Sequence, residues 1–593
     1  MRPASICAVS SLVAGCLAQA DFPKVQLPWG TYQASLYDKK GDFYTFQDVR
    51  FGRAPTDEYR FQRSAFPAEI ADPSALQPNE GNFCYQVTPP SCPKAVETRD
   101  LDASDNAFGG LQLPTLPKKP PQGPSEDCLF LDVYMPAKAL NGTSLPMVVW
   151  FYGGGFIFGA KDAGAGDNIP FYNGTGILRA ARDMNQDFIF MTGNYRMGAF
   201  GWLAGSTIEE FGTPNAGLWD QRLLLEFAQR YGPKFGGNPS EIGVWGESAG
   251  AGSILHHLTM SEPPVFKRAV MQSPAYLWQW DRSEEGYTNR IFRNLTTKAG
   301  CPTNGSAAVD CLRKLNSADL QKWNQEIILE EHTNTGLIAF NPAVDGKLIK
   351  QLPTSALQSG QFWQNISSMI VSHVFDESKS FVPCYVKDDD TFAQFLDHFY
   401  PGQKYSKHRS AIHEKHGNVK DAWNCAHEVI KGSSLLCNTR YVFDAYNSMS
   451  KMYMMQYNFF SGQGGAVHAA DLLPTFFNDD MPEHDFYVWF NSTIRPSSEG
   501  VVRFLLNRIE ALAEEYQPYL ATFGATGVPT PKKGHYAKEW TPARPGNELQ
   551  DVMEVRWGAM SDFDEDSTDH QNTEELCGFW RNMSSWVEQT AQT

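Results

Sequence analysis

The stretch Phe235 to Gly250, FGGNPSEIGVWGESAG, limits what this chain can fold into more than any other segment. An apolar run of Ile242, Val244 and Trp245 leads into Gly246-Glu247-Ser248-Ala249-Gly250. A helical stretch from Ala251 to Thr259 leads out. Strand, sharp turn and helix in that order form a G-x-S-x-G elbow, which projects the Ser248 hydroxyl at the edge of a parallel sheet. The helix N-terminus beside it favours developing negative charge. Side chains at the flanking glycines would clash where the turn doubles back. The pentapeptide alone fixes three positions, so the flanking strand and helix carry the reading.

The elbow predicts an α/β fold with a large, mostly parallel central sheet flanked by helices. Leu145 to Tyr152 and Asp187 to Tyr195 read as buried strands, and Ile242 to Trp245 is the nucleophile strand. Lys267 to Gln272, Ser368 to Val374 and Met452 to Phe460 look like later strands. Gly217 to Tyr231 reads as an amphipathic helix with Leu224, Phe227 and Ala228 on one face, and Val501 to Tyr516 as a late helix. Leu113 to Pro124 and Pro529 to Pro545 are Pro-rich loops. Between Glu377 and His468 lies a mostly helical, aromatic-rich insertion, read as a subdomain over the active site. No linker or repeat divides the 593 residues. The predicted organisation is a signal peptide over 1–20 and one domain over 21–593.

The signal reading rests on Arg2, the small apolar run Ala4 to Leu17, and Ala18-Gln19-Ala20 as a cleavage site. It predicts a secreted, extracellular protein. Seven N-x-[ST] sequons suit that compartment: Asn141, Asn173, Asn294, Asn304, Asn365, Asn491 and Asn582. Loss of Cys7 and Cys16 with the signal leaves nine cysteines, an odd number, so at least one stays outside intramolecular pairing. No cysteine or histidine array has zinc spacing, so no metal is expected. A net charge of −17 argues against nucleic acid or anionic lipid as partner. The acidic run Asp562 to Asp569 lacks a glycine-turned calcium loop and reads as a solvated loop.

A serine hydroxyl attacks only with a base to take its proton, an acid to orient that base, and donors for the oxyanion. Val148 to Phe156, VVWFYGGGF, runs a strand into three glycines that leave backbone N–H groups open to a carbonyl. Phe-Gly-Gly, four residues, then Ile-x-Val-x-Gly-x-Ser-Ala-Gly resembles the active-site signature of the type B carboxylesterase/lipase family, the cholinesterase-like α/β-hydrolases. The form is that of a secreted fungal-type member. Ser125-Glu126-Asp127-Cys128-Leu129 matches the second signature of that family. Asn194-Tyr195-Arg196, Asp220-Gln221-Arg222 and Asn341 to Gly346 match further stretches. The resemblance implies an α/β-hydrolase fold and a catalytic triad of Ser248, Glu377 and His468. It also implies an oxyanion hole of Gly154, Gly155 and Ala249 and an Arg60–Glu126 ion pair.

Two departures stand out. The acid sits in Asp376-Glu377-Ser378, where the family often has glycine third, and Asp376 is its rival. The base sits in Gly465-Ala466-Val467-His468-Ala469-Ala470-Asp471, with Asp471 where glutamate is usual. His256 and His257, on the helix behind the nucleophile, are expected to pack or cap. The resemblance also implies Cys84–Cys128 and Cys301–Cys311 bridges. Proximity adds Cys425–Cys437 and leaves Cys92, Cys384 and Cys577 unassigned.

The expected function is hydrolysis of small-molecule or lipid carboxylic esters through an acyl-enzyme, with no cofactor and no membrane anchor. Narrower readings are a triacylglycerol lipase, with the loop Gly109 to Gly123 as a lid, or a specialised biosynthetic esterase. A non-catalytic adhesion or binding protein on the same fold is the alternative from another class. A cholinesterase fits less well, since Cys84 to Cys128 holds no Trp for a quaternary ammonium.

Overall fold

The computed structural model describes residues 22–89, 124–161, 172–417, 421–459, 466–480, 499–533, 538–556 and 563–591. The signal region, Cys92, Asn491 and the proposed lid 109–123 lie outside them.

Eleven strands form one sheet. In chain order they are β1 Leu36–Asp38, β2 Phe43–Arg50, β3 Phe130–Pro136, β4 Leu145–Phe151, β5 Ile189–Gly193 and β6 Gly237–Glu247. β7 Arg268–Gln272, β8 Ser368–Val374, β9 Met452–Asn458, β10 Leu549–Arg556 and β11 Phe563–Asp569 follow. Their spatial order is β11-β10-β9-β8-β7-β6-β4-β5-β3-β2-β1. The strands from β5 across to β10 run parallel, and both margins are antiparallel. This is the sheet of an α/β-hydrolase.

The central strands are apolar throughout because both of their faces are covered. β4 and β8 are buried at nearly every position, the pattern of a parallel sheet between helical layers. The helix Ala216–Tyr231 buries Leu224, Phe227 and Ala228 as predicted, and Trp29 packs edge-on against Tyr231 at its end. The last helix of the sheet layer is longer than its periodicity suggested. It runs Glu499–Thr526, with Pro518 inside it. The acidic run is a correction of another kind. Most of it is the edge strand β11, paired antiparallel to β10, not a loop. Its final residue Asp569 is buried, with His373 Nε2 2.7 Å from its carboxylate.

The Arg60–Glu126 pair forms. Arg60 Nε donates to Glu126 Oε2 at 2.8 Å, and the guanidinium also holds the carbonyls of Leu312 and Leu315. Both partners are buried, so removing either would strand a charge. Cys84–Cys128 and Cys301–Cys311 are bonded as expected. The third assignment fails: Cys437 bonds Cys577, 140 residues away. Proximity in sequence misled because Cys425 and Cys437 lie in successive stretches of one nearly continuous helical run. The Cys425 thiol donates instead to the His416 carbonyl at 3.0 Å. Cys384 is also disulfide-bonded.

Non-reducing peptide mapping is expected to link Cys437 to Cys577 and to recover Cys425 as a thiol. Replacing Cys437 and Cys577 by serine should destabilise by up to about 5 kcal/mol from loop-closure entropy, more than loss of the short Cys301–Cys311 loop at about 3 kcal/mol. A map that joins Cys425 to Cys437 overturns this arrangement. Among the sequons, Asn173 is 4% exposed and its side chain accepts from Thr175 N at 3.1 Å, so a glycan there would not fit the folded chain.

Candidate active site

β6 ends at Glu247, and the chain reverses in one residue. Ser248 has φ 54° and ψ −125°, a backbone that a side-chain-bearing residue holds only under constraint. The constraint is visible on both sides. Ser248 N donates to Gln272 O on β7 at 2.9 Å, and Ser248 O accepts from Gly252 and Ala275. A Cβ at Gly250 would lie 2.0 Å from Phe151 O, so only glycine lets the new helix pass this close to β4. The serine hydroxyl is thereby held at the C-terminal edge of the parallel strands, where open α/β sheets place their sites.

The other two residues come from neighbouring strands. Glu377 follows β8, and His468 follows β9. His468 Nε2 is 2.8 Å from Ser248 Oγ, and His468 Nδ1 is 2.6 Å from Glu377 Oε2. Val374 N donates to Glu377 Oε1 at 2.9 Å, which fixes the carboxylate. Asp376 N donates to Ala466 O at 2.8 Å and forms a bridge with Val467, so the loops that carry Glu377 and His468 are tied directly to each other. Asp376 points away from the imidazole and meets His427 Nε2 at 2.8 Å. Of the two carboxylates, Glu377 and not Asp376 contacts the His468 imidazole.

Gly154 and Gly155 stand beside the serine, both at positive φ, 102° and 59°. A Cβ on Gly154 would sit 2.0 Å from Phe158 O, so this loop folds as it does only with glycine. Ala249 opens the helix Ala249–Thr259, and the first N–H groups of a helix have no partner within it. All three border the same cleft as Ser248 and His468. The cleft has a volume of about 840 Å³, its open mouth included. Its walls are mainly apolar: Phe156, Phe158, Leu277, Ile338, Phe395 and Phe399 among them. Ile430, Ser434 and Leu435, from the predicted helical insertion, form the roof. A second cleft of about 470 Å³, its open mouth included, is lined by Trp278, Trp280 and Tyr405 and shares Leu277, Leu337, Ile338 and Phe399 with the first.

Three acidic residues surround His468. Burial pushes Glu247 up to about 8, against the pull of His468, and its Oε1 is 3.3 Å from His468 Nε2. Asp471 is raised to about 7 by burial and then by the charge of Glu377, although Gln272 Nε2 donates to it at 2.9 Å. Burial pulls His468 down, but the Glu377 hydrogen bond and the surrounding negative charge outweigh it and raise the imidazole to about 9. Phe381 packs edge-on against the ring at 5.1 Å. His256 and His257 are buried in the helix behind the elbow, and burial keeps both neutral, at about 4 and about 3. They pack, as expected. Sequence reasoning missed Glu247 and Phe381. The former was marked only by a charged residue in the variable position of a turn bound to be buried.

This environment has a pH consequence. A base must be neutral to accept a proton, so kcat/KM should fall as pH drops through the pKa of His468, at a limb displaced above the usual histidine range. Glu247→Gln removes one source of the displacement. The limb is expected to move down by about 1 unit, since an opposite charge within reach is worth that much or more. A pH–kcat/KM profile checks this, and an unmoved limb would exclude Glu247 as a cause.

A serine, an imidazole and a carboxylate in hydrogen-bonded series at the edge of an α/β-hydrolase sheet are the constellation of a serine hydrolase. The chain belongs to the carboxylesterase family, whose model matches residues 21–580, and it is a carboxylic ester hydrolase. It is 32% identical over 405 residues to a secreted lipase of Arthroderma benhamiae, covering 64% of this chain and 74% of that one. It is 30% identical over 499 residues to the carboxylesterase patB of Penicillium expansum, covering 77% and 83%. Aspergillus niger EstA has the same fold, with a TM-score of 0.73 at 22% identity over 96% of this chain and all of that one.

Proposed function

We propose that Ser248 is the nucleophile, His468 the general base and acid, and Glu377 the residue that orients and stabilises the imidazole. The observation that carries this reading is the continuous Ser248–His468–Glu377 hydrogen-bond series. Ser248 Oγ attacks the ester carbonyl as His468 Nε2 takes its proton. Gly154, Gly155 and Ala249 N–H groups receive the oxyanion. His468 then returns the proton to the leaving alcohol, and water repeats the sequence on the acyl-enzyme.

The apolar walls of the cleft support an ester with a sizeable apolar acyl or alcohol group, and the relatives named lipases favour the same direction. Secretion is part of the proposal. It is supported by relatives named as secreted and by the disulfides, which persist in oxidising compartments. No helix among the described residues is long and apolar enough to cross a membrane. A panel of p-nitrophenyl esters of increasing chain length, with emulsified triglycerides beside them, tests the substrate reading. Turnover confined to the acetate would defeat the apolar-substrate assignment.

A further inference from the structure

Glu377 is the middle of a three-residue turn whose two outer residues both bond to one residue of the roof. Asp376 Oδ1 accepts from His427 Nε2 at 2.8 Å. Ser378 Oγ donates to the His427 carbonyl at 3.0 Å. Ser378 is the residue that departs from the family's glycine, and a glycine has no hydroxyl for this bond. His427 is itself fixed. Its Nδ1 lies 3.3 Å from Glu428 Oε1, and Trp423 stacks on the ring with centroids 5.4 Å apart. The side chains of His427 and Asp376 are 14% and 16% exposed, so water competes little for their bond.

The position of His427 gives this clamp its significance. It lies on the helix Ala422–Ile430, which passes through the π-helical turn Lys431–Leu435 into the helix Leu436–Ala445. Ile430, Ser434 and Leu435 of that run border the cleft. The acid turn is therefore held on one side to the roof, and on the other to the base loop through Asp376 N and Ala466 O. Both roof bonds land on immediate neighbours of Glu377, whose carboxylate must stay in line with His468 Nδ1.

We propose that His427 is a positioning residue for the acid of the triad. It grips Asp376 and Ser378 and so holds the Glu377 carboxylate against His468. This rests on the reading of Glu377 as the acid. A small displacement of an orienting group is costly to turnover and nearly neutral to ground-state binding, so the effect belongs in kcat.

The test is a double-mutant cycle on p-nitrophenyl butyrate hydrolysis, with kcat and KM measured separately. His427→Ala is expected to lower kcat by roughly tenfold or more with KM changed less than about twofold. His427→Gln, which keeps an N–H donor for Asp376, is expected to recover most of the loss. In a Glu377→Gln background, His427→Ala should cost less than about twofold further, because the path it acts through is already cut. His427→Ala removes the side-chain bond to Asp376 and keeps the carbonyl that Ser378 grips, whereas Asp376→Ala with Ser378→Gly removes both bonds without touching the helix and repeats the test should His427→Ala fail to fold. Wild-type kcat in both disrupting variants overturns the proposal, as does an undiminished loss in the Glu377→Gln background. Wild-type turnover in Glu377→Gln alone instead overturns the assignment of the acid.

Discussion

Ser248→Ala is expected to lower turnover of a p-nitrophenyl ester by several powers of ten, on the order of 10⁴ to 10⁶, and to abolish labelling by a fluorophosphonate. No other described hydroxyl is hydrogen-bonded to His468, and the oxyanion donors are useless to an attack that does not start. The fold should survive the change. Alanine adopts the φ of 54° at no greater cost than serine, and the bonds that hold the elbow are made by the backbone of residue 248. The hydroxyl contributes only its contact with His468, whose ring remains gripped by Glu377. The thermal midpoint should therefore stay within about 5 °C of wild type, the shift expected for a change near 1 kcal/mol or less. A variant that retains more than about a tenth of wild-type turnover would show that the nucleophile lies elsewhere.

The parts of the molecule that were legible in sequence are those whose local chemistry is demanding. Gly250 and Gly154 are read from sequence because a backbone carbonyl lies about a bond length or so from where a side chain would go. β4 and β8 are read because a strand covered on both faces must be apolar throughout. Ser248, His468 and Glu377 are singled out by the family resemblance of their motifs, and the structure brings the three into one hydrogen-bonded series. What stayed hidden depends on distant pairing. Cys577 reaches Cys437 across 140 residues, and local spacing carries no trace of that contact. The acidic run became an edge strand because β10 offered it a partner and His373 gave Asp569 a buried bond, both set by tertiary placement. Glu247 is hidden for another reason. Its type looks solvent-facing, and only the assembled site shows it buried against the imidazole.

Roof and sheet are built differently. The triad rests on the ends of β6, β8 and β9, whose backbones are locked in register by parallel ladders. The helical insertion supplies only part of the cleft wall, with Phe395, Phe399, Ile430 and Leu435. The π turn Lys431–Leu435 places Ser434 and Leu435 in the cleft, a local irregularity of a kind found often at functional sites.

The second large effect separates two adjacent carboxylates. Glu377→Gln is expected to lower kcat by about 10³ to 10⁴, whereas Asp376→Asn should cost less than about tenfold. Glu377 Oε2 receives the His468 Nδ1–H at 2.6 Å, and that bond is the largest influence raising the imidazole against its burial. An amide there can present its NH₂ group, which favours the tautomer with its proton on Nε2, the wrong one for a base facing Ser248. It also removes the charge that stabilises the imidazolium as the tetrahedral intermediate forms. The acid limb of the pH profile should move down with it, because His468 loses the interaction that held its proton. Asparagine at 376 keeps an acceptor for His427 Nε2 and leaves the Asp376 N–Ala466 O bond untouched, so the turn should hold its shape. Steady-state kinetics of the two variants at several pH values decide the matter. If Asp376→Asn proved the more damaging of the two, the assignment of Glu377 as the acid would fall, although it is the carboxylate that touches the imidazole.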